Sequence, residues 1–175
     1  MLLVSDFVAN PLPPRDRVLS HFTLREELMR RELPMILIRV LVGLVFIFEG
    51  ALKFALPSEY GIDSFAAIGL PFPHILAPAV GGVEIAGGLA ILLNIYAGEA
   101  SLLLLAIMVA ALITTKLPIL LARPLGPFTL PHATQYGWLA FFHAARVELV
   151  MLVSALAILI DSGLHLANRR RWYER

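Results

Sequence analysis

The chain has 175 residues, 59% of them hydrophobic and 15% charged, with a mean hydropathy of +0.81. A soluble domain of this size is typically about 45–50% apolar, so the composition argues against a soluble fold and for one polytopic membrane domain. The chain has no cysteine, which excludes thiol–disulfide chemistry, thiolate-bound iron–sulfur clusters and c-type haem attachment. The net charge of +1 is uninformative as a total, and no nucleic-acid signature is present.

Residues 1–34 read as an N-terminal arm. Its opening, MLLVSDFVANPLPP, has too short an apolar run for a secretory segment with a cleavage site, and its prolines break a helix. From Thr23 the run TLREELMRRE carries a capping-box spacing, Thr23 with Glu26, and places Leu24 and Leu28 on one face, which predicts a short interfacial helix. A solvated charged linker is the alternative.

Residues 35–56, MILIRVLVGLVFIFEGALKFAL, are 22 residues that are apolar except for Arg39, Glu49 and Lys53. As a helix this run crosses a hydrocarbon core of roughly 30 Å. At 3.6 residues per turn Arg39, Gly43, Phe46, Gly50 and Lys53 fall on one stripe, with Glu49 beside it. A charge facing lipid costs several kcal/mol, so this stripe must face protein, and the other spans must supply counter-charges.

Residues 57–78, rich in proline and glycine, form a loop with a short helix expected over 64–68. The second apolar run, 79–96, contains GGVEIAGG, in which small residues bracket Glu84 and allow close helix approach. The third, 100–121, follows a tight turn at Ala97-Gly98, so spans two and three form an antiparallel hairpin, with Lys116 near the far end. Residues 122–138 form a long proline, glycine and aromatic loop. A fourth run over about 139–164 carries His143, Arg146 and Glu148 near its start and Asp161 near its end, and the chain closes with NRRRWYER. The domain reading is an arm over 1–34, a four-span bundle over 35–165 and a basic tail over 166–175.

Arg15, Arg17, Arg25, Arg30 and Arg31 lie in the arm, and Arg169, Arg170, Arg171 and Arg175 in the tail, whereas the loops after spans one and three hold only Arg123. By the positive-inside rule both termini are expected on the cytoplasmic face of the cell (inner or plasma) membrane.

The helical rise then gives depths. Glu49 and Lys53 lie roughly 10 and 5 Å below the outer boundary, Glu84 roughly 9 Å, and Arg146 and Glu148 roughly 9–12 Å, with Lys116 near the outer end of span three. Acids and bases from all spans thus meet in one outer layer, while Arg39 and Asp161 form an inner pair. Two readings follow. The layer is either a salt-bridge network that fixes helix order, or a polar pocket lined by Glu49, Lys53, Glu84, Arg146 and Glu148 that binds a polar head or relays protons. His143 stands either at the pocket mouth, as a proton carrier or hydrogen-bond donor, or simply at the interface. No histidine spacing suits a metal or bis-haem pair, so no metal site is expected. Trp138, Tyr136 and Phe128 suit an interfacial belt.

The spacing of Arg39, Gly43, Phe46, Gly50 and Lys53, followed by IGLPFP at 68–73 and VEIAGGLAILL at 83–93, resembles the DoxX family of small bacterial and archaeal membrane proteins. That resemblance covers about 34–165 and implies an all-α, integral-membrane four-helix bundle. It also implies association with thiosulfate:quinone oxidoreductase or other quinone-connected redox complexes. The expected function is therefore a membrane subunit of a quinone-linked electron-transfer assembly, with a quinone as its ligand, no covalently bound cofactor, and partner subunits that carry the redox centres. In this reading Glu49 and Glu84 exchange protons, Lys53 and Arg146 are counter-ions and ligand contacts, and Glu148 balances the charge. The arm and the long third loop, which exceed the compact family pattern, suit docking to other membrane subunits. A purely structural accessory subunit and a small-molecule carrier are the alternatives; no inverted repeat or unwound span is visible to support the latter.

Overall fold

The computed structural model describes the backbone of residues 14–173 and the side chains of residues 32–163. The opening of the arm, the side chains of the segment around Thr23, His21, His165 and the basic tail lie outside the described side chains. Helix α1 runs Pro14–Ala55, α2 Ile62–Ile68, α3 Pro73–Leu92 and α4 Ala97–Ala111. A π-helical turn, Leu112–Lys116, joins α4 to α5, Leu117–Leu121, and α6 runs Trp138–Tyr173. Among the described residues the only strand-like pairing is a single antiparallel bridge, Leu125 with Phe128, in the long loop.

The chain divides into two units, residues 1–37 and 38–175. In the first the backbone is already helical from Pro14, where the sequence suggests a separate short helix beginning at Thr23. The second holds the bundle.

Helices long and apolar enough to cross a membrane are Glu32–Ala55, Pro73–Leu92, Ala97–Leu121 and Trp138–Gly163. Between 22% and 33% of each span is buried, so most of the apolar surface points outward, as a lipid solvent requires. The fold is an all-α four-helix membrane bundle.

Close contacts set the order of helices around the bundle. A β-carbon at Gly43 would sit 2.8 Å from the Gly88 carbonyl oxygen, and one at Gly50 would sit 2.5 Å from that of Gly81. The two contacts lie seven residues apart on each helix and run in opposite senses, so α1 and α3 are antiparallel with their backbones touching along two turns. Gly87 meets Leu104 across the α3–α4 hairpin, and Gly98 at the start of α4 meets Ser162 near the end of the α6 span. Arg39 of α1 reaches Asp161 of α6, which closes the ring. Val42, Phe46, Ile91, Leu104, Ala155 and Ile158 fill the centre.

The two long loops share one end of this bundle. Thr129 donates from its backbone N–H to the Ile68 carbonyl at 3.0 Å and from its hydroxyl to the Ala67 carbonyl at 2.7 Å, so the loop after α5 is tied to α2.

Pro118 accounts for the interruption in the third span. It has no N–H for the carbonyl four residues back, and its ring would strike that carbonyl in a regular helix. The chain widens instead, with the Leu117 N–H bonding to the Leu112 carbonyl, five residues back. Thr114 donates to the Ala110 carbonyl at 2.9 Å and Thr115 to the Ala111 carbonyl at 2.7 Å, which keeps the loosened carbonyls satisfied. The sequence reading takes this span as one uninterrupted helix; the proline within it makes the difference.

Candidate functional site

At the loop end of the bundle the helices part around a cavity of about 600 Å³. Glu49 and Lys53 come from α1, Glu84 and Val80 from α3, and Met108 from α4. Thr114, Thr115 and Lys116 come from the π turn, and Arg146, Glu148 and Met151 from α6. Tyr60, Phe65 and Glu59, on α2 and the loop before it, complete the lining. An apolar floor that includes Phe46, Met108 and Met151 lies beneath a polar wall, the arrangement of a site for an amphiphilic molecule.

Two ion pairs are built into that wall. Lys53 Nζ lies 2.6 Å from Glu84 Oε2, with side-chain exposures of 10% and 3%. The same ammonium donates to the Glu49 carbonyl oxygen at 3.3 Å. Gly81, one turn before Glu84, removes the side chain that would hold α3 away from Lys53: a β-carbon there would stand 3.3 Å from the Lys53 β-carbon. Lys116 Nζ lies 2.9 Å from Glu148 Oε1, with both side chains about one-fifth exposed. At the other end of the bundle Arg39 and Asp161 meet at 2.6 Å, as a pair separate from the cavity.

Glu49, Lys53, Glu84, Arg146 and Glu148 therefore all border one cavity. His143 does not line it; its side chain is exposed, and its carbonyl accepts a hydrogen bond from Arg146. Lys116, Thr114 and Thr115 are cavity residues that the sequence reading does not place in the pocket. The signal for them is the polar triplet Thr-Thr-Lys ahead of a proline in an otherwise apolar run. Among the described residues no three His, Asp or Glu side chains cluster as metal ligands.

A family model described as DoxX matches residues 35–117. An uncharacterised membrane protein of Mycobacterium tuberculosis is 39% identical over 124 residues, which is 71% of this chain and 72% of the relative. The chain belongs to the DoxX family. No solved structure matches it. The matched segment of this DoxX protein carries the first three cavity walls, including Glu49, Lys53, Glu84 and Lys116. The fourth wall, with Arg146 and Glu148, lies beyond it.

Chemically, the DoxX cavity sets carboxylates and cations side by side next to apolar side chains. Its apolar floor suits a ring or a short hydrocarbon segment.

Proposed function

We propose that this DoxX protein is a membrane subunit of a quinone-linked electron-transfer assembly, and that its cavity receives the quinone head or carries protons to it. The observation that carries this reading is the joining of one apolar floor to one ionisable wall by residues from all the spans. Glu49 and Glu84 are the proton-exchanging carboxylates, Lys53 and Arg146 contact the head, and Glu148, held by Lys116, balances the charge. The protein itself holds no electron carrier in this reading; partner subunits carry the redox centres. The arginines of the arm and tail support a cell-membrane orientation with both termini cytoplasmic, which turns the cavity outward.

A second reading has its own support. Ion pairs Lys53–Glu84, Lys116–Glu148 and Arg39–Asp161 each link different spans, as an accessory subunit held together by charge would require. Purification of the native complex in mild detergent, with mass spectrometry of proteins and extracted lipids, separates the two. Co-purified redox subunits and a stoichiometric quinone are expected. Partners without quinone would favour the accessory role.

A further inference from the structure

Three charges on the cavity wall stand outside its ion pairs: Glu59, exposed on the loop before α2, and two carried by the spans themselves, Glu49 and Arg146. Lys53 is taken by Glu84 and Lys116 by Glu148, whereas among the described residues neither Glu49 nor Arg146 joins an ion pair. Glu49 is half-buried, and an ionised carboxylate only accepts hydrogen bonds. Arg146 spends one guanidinium nitrogen on the His143 carbonyl and keeps further N–H donors, and a guanidinium only donates. The two belong to α1 and α6, neighbours in the bundle. A ligand that satisfies both must offer an O–H to Glu49 and an acceptor oxygen to Arg146, on a body apolar enough for the floor of Phe46, Met108 and Met151.

We propose that the cavity selects the reduced, dihydroxy form of a quinone head, with one hydroxyl donating to Glu49 and the other oxygen accepting from Arg146. This rests on the quinone reading above and adds to it which redox form the resting protein holds. The oxidised head has only acceptor oxygens. It satisfies Arg146 equally well but sets a carbonyl oxygen against the Glu49 carboxylate, where no hydrogen joins them. A hydrogen bond to an ionised group is roughly twice as strong as one between neutral groups, so its loss costs the oxidised form about tenfold or more in affinity. Binding moves no electron and breaks no bond; the hydroxyl keeps its proton and donates a hydrogen bond to the carboxylate.

The test titrates the purified full-length protein in nanodiscs, anaerobically, with a short-tailed benzoquinone and separately with its chemically reduced quinol. The quinol is expected to bind about tenfold or more tightly than the quinone. In Glu49→Gln the side-chain amide donates to a carbonyl, so the preference should vanish or reverse while quinone affinity rises. Arg146→Gln should weaken both forms alike. Equal or tighter binding of the quinone by the wild-type protein overturns the proposed selectivity and leaves the quinone reading standing. An unchanged preference in a folded Glu49→Gln protein also overturns it. Binding of neither form overturns both.

Discussion

At Lys53 an ammonium is held 2.6 Å from Glu84 with almost no solvent on either side chain, the partners being 10% and 3% exposed. Removing one member of such a pair strands the other charge, which typically costs about 3–5 kcal/mol, whereas removing both charges together costs far less. Lys53→Met should therefore lower stability in detergent by about 3–5 kcal/mol, and Lys53→Met with Glu84→Gln should recover most of it. Chemical or thermal unfolding of the detergent-solubilised variants checks this. If the double variant were no better than the single one, the pair would not be the source of the loss. The heights of these residues were readable from the sequence, because a helical rise converts residue number into depth. So was the inner pair of Arg39 with Asp161; which cation of the outer layer faces which acid was not, because rise says nothing about how each helix is rotated against its neighbour. His143 shows the same limit: its place in the chain suits the cavity mouth, yet it is exposed and does not line the cavity.

Among the helices, α1 and α3 depend on glycines where their backbones touch. A β-carbon at Gly50 would press on the backbone oxygen of Gly81 in α3 at 2.5 Å and on the Ile85 side chain at 2.7 Å, and the backbone atom cannot swing aside. Gly50→Ala should cost about 1–3 kcal/mol, read as a lower midpoint in a thermal melt; an unchanged midpoint would mean that the two helices do not meet there. The stripe of Gly43 and Gly50 and the GGVEIAGG run were legible as small-residue surfaces in lipid, though not that they meet each other. The third span is the element that the sequence reading rendered least well. Its π turn at Leu112–Lys116 arises from Pro118, and it fixes the register in which Lys116 meets Glu148. Pro118→Ala allows a regular helix, and absorbing one residue turns what lies on one side of the interruption by about 100° relative to the other. A double-mutant cycle between positions 116 and 148 should give a coupling of about 1 kcal/mol in the wild-type background and none in Pro118→Ala. Equal coupling in both backgrounds would contradict the role given to the π turn.

Across the described bundle, helices that are thinly packed against one another keep most of their apolar surface for lipid and join six of their charged groups in pairs between spans. That division follows from solvent: a bilayer tolerates hydrocarbon anywhere and charge only where protein or trapped water receives it. At one end of the bundle Arg39 pairs with Asp161, and the other opens around the cavity beneath the tied loops. The most direct measurement of the proposed role is quinone turnover by the isolated membrane complex carrying both Glu49→Gln and Glu84→Gln, expressed per assembled complex. A drop of about a hundredfold or more, in the range usual for loss of a proton-transfer group, with assembly retained, is the predicted result. Full turnover in a fully assembled double variant would contradict it and leave the charged wall as a device for assembly alone.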